Sequence, residues 1–232
     1  NLMDHHYRVG ASGSIDGFED SYYYGNRPTG IYIPRFRNIS KKTERTDYLR
    51  GFGYQGGSGR GRGTGGPDGI GAAFKESKTI PGGWGMGIAS WGECLPNPEN
   101  RVSLNKTKTD KWGLPTLDID SKFGENELAM RKDMKNSAAE MLEAAGCRNI
   151  HTYDQMPPPG TCIHEMGTAR MGRDPRTSVL NKWNQLHEVK NVFITDGACM
   201  TSSACQNPSI TYMALTARAC DYAVKELKRM NI

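Results

Sequence analysis

Two polar residues of this sequence, His164 and Asn207, have side chains suited to the oxidation of an alcohol. His164 begins the segment HEMGTARMG, and Asn207 lies in QNPSITYMALTARA. A neutral imidazole can take a proton near pH 7, and a carboxamide can donate a hydrogen bond to the same substrate oxygen. Asn207 precedes Pro208 at the start of a predicted helix, and a helix N-terminus favours negative charge. A base, an oxygen anchor and a helix dipole together indicate oxidation of an alcohol by an electron-accepting cofactor.

Each of these residues also has a purely structural interpretation. On its own segment, His164 would more simply be a core histidine bonded to a backbone carbonyl. Asn207 is a suitable N-cap, and Asp196 is a suitable turn carboxylate. The segment VFITDG nevertheless predicts a short buried strand over 192–195 that ends at Asp196 and Gly197. Because ligands of α/β proteins commonly bind at such strand ends, we expect these segments to face one ligand.

The elements that must position these residues are predicted by periodicity. Apolar residues recur at helical spacing over 125–145, with Gly146 as the stop, and again from about Pro208 to near Met230. The second helix carries an apolar stripe, formed by Ile210, Met213, Ala214, Ala217, Cys220, Val224 and Leu227. Short β-prone runs lie at 7–15, 31–36, 84–95 and 148–153. The predicted fold class is α+β, with a mixed or antiparallel sheet covered by helices on one face.

Composition agrees with a chain that has a modest core and long connections. The 232 residues are enough to bury a core, but only 36% of them are hydrophobic and the mean hydropathy is −0.65. The Gly-rich stretch GGSGRGRGTGGPDG, residues 56–69, predicts a loop or lid. Residues 61–66 match GxGxxG, but a dinucleotide fingerprint needs a preceding strand and a following helix. Arg and Gly residues precede this match and Pro67 follows it, so we do not assign it to a cofactor.

Other features argue against several kinds of partner. The net charge of +5 is spread over the chain, so no nucleic-acid partner is predicted. The six cysteines form no CxxC motif, and the adjacent His5 and His6 would point to opposite faces of a strand, so no metal site is predicted. No apolar run approaches the roughly 20 residues that span a bilayer, so no membrane span is predicted. The chain opens on NLMDHHYRV without an initiator Met, and we expect that it begins inside a larger protein.

Taken together, these segments resemble the C-terminal part of the glucose–methanol–choline (GMC) family of flavin oxidoreductases. The family pattern is a His, then Gly-Thr, Met-Gly, a strand ending in Asp-Gly or Asp-Ala, and a His or Asn beside a Pro at the start of the final helix. This chain matches it in order with His164, Gly167-Thr168, Met171-Gly172, Asp196-Gly197 and Asn207-Pro208. The segments LPNPENRVSL and NLMDHH are similar to two further family segments. The resemblance therefore extends from Asn1 to the C-terminus.

The resemblance implies FAD as the cofactor and a role for each site residue. His164 would be the catalytic base that takes the hydroxyl proton, while the substrate α-hydrogen leaves as hydride to the flavin. Asn207 would hold the same substrate oxygen. The implied cofactor-binding residues are Asp196, Gly197, Pro208 and Ser209. The first two would lie near the ribityl or phosphate portion, and the last two near the flavin N1–C2=O edge.

The resemblance also implies a domain organisation. Family members carry an N-terminal Rossmann GxGxxG that holds the ADP half of FAD, and no segment here matches it. Residues 1–160 would form the substrate-binding domain, and residues 161–232 the catalytic, flavin-facing segment. The implied partners are a small-molecule alcohol or sugar and the FAD-binding half of the same protein, and the isolated chain is expected to be inactive. The alternative is a non-catalytic module that binds carbohydrate or nucleic acid. The individual substrate, the choice between oxidase and dehydrogenase, and the cellular compartment stay open.

Overall fold

An antiparallel sheet and one long helix form the centre of the fold. The computed structural model describes residues 1–18, 30–62 and 69–232. The strands are β1 (His6–Ile15), β2 (Ile31–Ile33), β3 (Phe52–Arg62), β4 (Pro81–Gly92), β5 (Arg101–Thr109), β6 (Pro115–Asp120) and β7 (Arg148–Asp154). The helices are α1 (Ala72–Ser77), α2 (Glu125–Ala144) and α3 (Ser209–Lys228). Five strands pair in the order β2-β3-β4-β1-β7, and β5 pairs with β6 in a separate ribbon. All of these pairs are antiparallel, which confirms the predicted α+β class.

Helix α2 supplies the layer that covers the sheet. It packs against β1, β4 and β7, and its buried face follows the predicted helical spacing through Met130, Met134, Ala138 and Leu142. The Tyr54 hydroxyl donates to the carbonyl of Met134 at 2.6 Å, which fastens the middle of the helix to β3. The helix ends before Gly146, whose φ of +84° suits glycine. The helix predicted over 125–145 is therefore confirmed.

The structure differs from the sequence prediction in the Gly-rich stretch. Residues 56–62, expected to begin a loop or lid, form the second half of β3 and pair with β4, with Gly57 opposite Gly87 and Gly59 opposite Gly85. A Cβ at Gly56 would overlap the carbonyl oxygen of Gly87, so glycine permits a strand contact that a larger residue would prevent. Residues 63–68 of the predicted loop lie outside the described part of the chain.

Helix α3 is confirmed as an element, but its apolar stripe is not covered. Within this helix only Ala219 is buried. Ile210, Met213, Val224 and Leu227 are 79%, 70%, 50% and 62% exposed. Among the residues described, no helix combines the length and the apolar character that crossing a bilayer requires.

Candidate active site

The segment that carries His164 is held by the carboxylate of Asp4, which is buried just before β1. Asp4 Oδ2 accepts hydrogen bonds from the backbone N–H groups of Gly160, Thr161 and Cys162 at 2.8, 3.2 and 3.1 Å. Met3 and Met166 exchange backbone hydrogen bonds on the other side of His164. His164 is thus fixed against the beginning of the chain by contacts on both sides of it.

Glycines allow the same segment to approach residues 197–199. Backbone bonds join Gly167 N to Gly197 O at 3.3 Å and Ala169 N to Ala198 O at 2.9 Å. Gly167 has φ +91°, and a Cβ there would overlap the carbonyl oxygen of Asn1. A Cβ at Gly197 would overlap the carbonyl oxygen of Glu165 and would lie 2.8 Å from the Tyr212 hydroxyl. Glycine at 167 and at 197 is therefore required by close backbone packing.

The imidazole of His164 is half-buried and contacts the imidazole of His5. The two Nδ1 atoms lie 2.8 Å apart, and the ring planes are inclined at 74° with centroids 4.8 Å apart. Burial lowers the pKa of His164, although the carboxylates of Asp4 and Glu165 oppose that shift. A lowered pKa leaves His164 neutral near pH 7, as a general base requires.

Asn207 is exposed, and its carboxamide is oriented by a residue of β3. Gln55 Nε2 donates to Asn207 Oδ1 at 2.8 Å, so the Asn207 amide nitrogen is the end that remains for another ligand. Pro208, which is buried, occupies the N-cap position of α3. The structural alternative that Asn207 is an ordinary N-cap is therefore wrong.

The loop before Asn207 brings its segment towards His164. The Ser203 hydroxyl accepts from Cys94 N at 3.0 Å, and Cys205 is buried. The His5 ring reaches this loop as well, because its Nε2 is hydrogen-bonded to the carbonyl oxygen of Ala204. One side chain thus touches both His164 and the loop that leads into Asn207.

The segment before Asp196 differs from its prediction. Residues 192–195, expected to be a short buried strand, contain only an isolated bridge at Phe193, and Val192 is 40% exposed. The strand does not form because its backbone bonds go to the neighbouring loop, for example Ile194 N to Asn184 O at 2.9 Å. Asp196 Oδ1 accepts from Ala198 N at 3.0 Å and caps the 3-10 helix Gly197–Cys199.

The N-terminus of α3 has no side-chain cap, which suits the binding of an anionic group. No side chain caps this end, where Ser209 is the first helical residue and is exposed. Uncapped N–H groups and the helix dipole favour negative charge at such an end. The Tyr212 hydroxyl is buried without a hydrogen-bond partner among the described residues. It lies at Gly197, where burial raises the pKa of the tyrosine to about 12.

The sequence does not predict several of these contacts. Adjacent histidines in a strand face opposite sides, which argues against a shared site for His5 and His6, yet His5 precedes β1, which begins at His6. The similarity of the segment NLMDHH to a family segment is the one sequence signal for Asp4 and His5. Gln55 lies in β3, directly before the Gly-rich stretch that is predicted to be a loop, and no motif in the sequence indicates it.

His5, Cys162 and His164 place three atoms of metal-ligating type within 4.8 Å of one another. The 2.8 Å separation of the two ring nitrogens is that of a hydrogen bond. Two nitrogens on a tetrahedral zinc ion, each at about 2.0–2.1 Å from it, lie about 3.3 Å apart. The geometry of the pair therefore matches a direct contact between the rings.

A separate cavity of about 600 Å³ lies between the 171–187 loop and α3. Trp183 and Tyr222 line it and stack on each other with centroids 4.7 Å apart. Neither His164 nor Asn207 lines it. Trp84 and Trp91, which together with Tyr22 to Tyr24 suggest an aromatic-lined substrate pocket from the sequence, do not line it either. Trp84 and Trp91 lie on β4, and residues 22–24 are outside the described ranges.

The chain has an α+β fold in which helix α2 covers one face of an antiparallel sheet. Comparison with known proteins gives its family. The family model for GMC oxidoreductases matches residues 96–216. The chain is 38% identical over 138 residues to 2-methyl-1,2-propanediol dehydrogenase of Mycolicibacterium austroafricanum, covering 58% of this chain and 24% of that protein. It is 32% identical over 145 residues to the fructose dehydrogenase large subunit of Gluconobacter japonicus, covering 62% of this chain and 26% of that protein. The chain belongs to the GMC oxidoreductase family and corresponds to its C-terminal part.

The chain matches about a quarter of the length of these relatives. Among solved structures, pyridoxine 4-oxidase from Mesorbium loti aligns with 96% of this chain and 43% of its own. That alignment has 14% identity and a TM-score of 0.38.

Proposed function

We propose that this chain is the substrate-binding and catalytic portion of an FAD-dependent oxidoreductase that oxidises the hydroxyl of a small alcohol or sugar. The relatives include a diol dehydrogenase and a fructose dehydrogenase, which supports this substrate class. The observation that carries the proposal is the position of His5. Its ring touches His164 on one side and the loop leading to Asn207 on the other.

In the proposed reaction, His164 takes the proton of the substrate hydroxyl, and Asn207 holds the hydroxyl oxygen with its amide N–H. The lowered pKa of His164 supports the first role, because the base must be neutral before it reacts. The Gln55 contact supports the second role, because it occupies the amide oxygen and leaves the donor end of Asn207 for the substrate. A donor at this position stabilises the negative charge that develops on the oxygen as its proton leaves.

The uncapped start of α3 and the backbone at Gly197 fit a large ligand that carries negative charge. FAD, when bound, supplies the acceptor for the hydride that leaves the substrate carbon. Pro208 and Ser209 would face it with the uncapped start of α3. Asp196 and Gly197 would lie against FAD, where Gly197 has no side chain to obstruct its approach. The Tyr212 hydroxyl, which has no hydrogen-bond partner among the described residues, lies beside them.

We also propose that the FAD-binding half of the same protein covers α3. The apolar side chains of α3 that face outward are those of the predicted stripe, and an exposed apolar face of this kind marks an interaction surface. In this division, residues 1–160 form the substrate-binding domain and residues 161–232 the flavin-facing segment. The isolated chain would bind FAD poorly and turn over little.

The test of the proposed base is His164→Ala in the complete flavoprotein, purified with FAD bound. Because a general base contributes about 10²- to 10⁴-fold, we expect anaerobic flavin reduction by an alcohol or sugar substrate to slow by that factor, with the FAD content unchanged. His151→Ala is the matched control, since His151 is exposed on β7. Flavin reduction at the unaltered rate in His164→Ala would move the chemistry elsewhere and overturn the proposal.

A further inference from the structure

The ring of His5 is buried between His164 and the loop that precedes Asn207, and both of its nitrogens have partners. We propose that His5 is a positioning residue: it holds His164 in the tautomer that carries its proton on Nδ1, and so leaves the lone pair of Nε2 for the substrate hydroxyl. This inference rests on the proposed function, because it concerns the orientation of the base named there.

The carbonyl of Ala204 determines which atoms donate in the two hydrogen bonds of His5. A backbone carbonyl oxygen only accepts, so His5 Nε2 must donate to the carbonyl of Ala204. A neutral imidazole has one N–H, which leaves Nδ1 of His5 as an acceptor. The atom that meets this acceptor is Nδ1 of His164, at 2.8 Å, and it must therefore carry a proton. Neutral His164 then has its lone pair on Nε2.

This chain of bonds requires that His5 stay neutral. His5 is 1% exposed, and burial lowers its pKa to about 4, with a smaller contribution from the neighbouring His164. The bond to Ala204 and the carboxylate of Asp4 oppose this shift. Since the pKa of 4 lies far below neutrality, His5 Nδ1 remains an acceptor over the pH range in which His164 reacts.

The other groups that face the pair leave this assignment intact. Cys162 Sγ lies 3.8 Å from His164 Nδ1, but burial raises the pKa of that thiol to about 12, so it is not a charged partner near pH 7. The carboxylates of Asp4 and Glu165 favour the cationic form of His164. When His164 takes the substrate proton on Nε2, the charged ring can still donate its Nδ1–H to His5, and a hydrogen bond to the charged form favours that form.

Two substitutions at His5 separate positioning from simple space filling. The Oδ1 of an Asn side chain lies near the place of the histidine Nδ1, so His5→Asn keeps an acceptor for His164. His5→Leu keeps a side chain of similar bulk but removes the acceptor. Both are to be made in the complete flavoprotein with FAD bound.

We expect His5→Leu to slow flavin reduction about 10- to 100-fold, the usual cost of losing a partner that orients a histidine. The acid limb of its pH profile should move to lower pH, because the cationic form of His164 loses its acceptor and the pKa falls. His5→Asn should stay within a few-fold of the unaltered rate and keep the profile. A merely structural role would slow both variants and leave the profile in place.

The tautomer is also measurable without any variant. Long-range ¹H–¹⁵N spectra of the protein labelled with ¹⁵N-histidine, recorded above the pKa of both rings, should show His164 with a protonated Nδ1 and a bare Nε2. In His5→Leu the signal should move towards the other tautomer. A bare Nδ1 in the unaltered protein would overturn the positioning role, even if His5→Leu does not fold.

The two proposals fail in different ways. Rapid flavin reduction by His164→Ala would overturn the proposed function. A large loss in His164→Ala, combined with an unchanged tautomer and pH profile in His5→Leu, would overturn only the role of His5.

Discussion

At the scale of single residues, the proposed chemistry of the candidate site depends on the neighbours that orient its two polar side chains. His164 and Asn207 each have one polar end occupied by a neighbour, His5 in the first case and Gln55 in the second. In the proposed arrangement, the occupied ends are the Nδ1–H of His164 and the amide oxygen of Asn207. The free ends are an acceptor on His164 and a donor on Asn207. This is the pair that a hydroxyl group needs, since it donates its proton to one and accepts at its oxygen from the other.

The proposed role of Asn207 leads to a prediction for Asn207→Ala in the complete flavoprotein. Loss of one donor to a developing oxyanion costs about 10²- to 10³-fold, so anaerobic flavin reduction should slow by that amount while FAD stays bound. The measurement is rapid mixing of the oxidised enzyme with substrate. Asn191→Ala is the control, because Asn191 is exposed in a surface loop. Equal rates for the two variants would remove Asn207 from the mechanism.

The sequence indicates His164 and Asn207 as candidate site residues, but it does not indicate their partners. His164 and Asn207 stand in segments rich in Gly and Pro, and the order of those segments matches a family pattern. Gln55 and His5 contact them across more than a hundred positions of chain. Such contacts arise from the packing of β3 and of the segment before β1, and local periodicity does not predict that packing.

At the scale of elements, a glycine-rich sequence is compatible with a loop and also with a closely packed strand. The two long helices, α2 and α3, are predicted correctly because their apolar spacing is long and regular. The stretch 56–62 was predicted to be a loop because glycine lowers strand preference, yet it forms β3 opposite the glycines of β4. Composition alone does not distinguish a loop from a strand whose neighbour lies too close for side chains.

This explanation predicts different outcomes for two adjacent glycines. A Cβ at Gly56 would overlap Gly87 O and lie 2.7 Å from a methyl carbon of Ile88, whereas a Cβ at Gly57 would meet nothing within 4 Å. Gly56→Ala should therefore lower the free energy of unfolding by about 1–3 kcal/mol, as overpacking does, and Gly57→Ala should leave it nearly unchanged. Urea unfolding of both variants measures the difference. Similar midpoints for the two would contradict the close contact between β3 and β4.

At the scale of the whole molecule, the described chain has a complete core on one side and an uncovered helix on another. Helix α2 buries its apolar residues against the sheet. Helix α3 has a similar length and presents its apolar stripe outward. The periodicity of the sequence predicted both stripes equally well. The periodicity could not show which of the two stripes the described residues bury, because burial depends on the segments that pack beside each helix.

The proposed cover for α3 leads to a prediction about the isolated chain and the complete protein. Equilibrium titration should show weak FAD binding by the isolated chain, and amide hydrogen exchange along α3 should be slower in the complete protein. Leu227→Lys should weaken retention of FAD by the complete protein about tenfold or more, because burying one leucine contributes about 1.5–3 kcal/mol and each 1.4 kcal/mol is a factor of about ten. Lys225→Ala is the control, since Lys225 is exposed and lies outside the apolar stripe. Micromolar FAD binding and dye-coupled alcohol oxidation by the isolated chain would show that these residues need no cover, and the proposed interface would then be wrong.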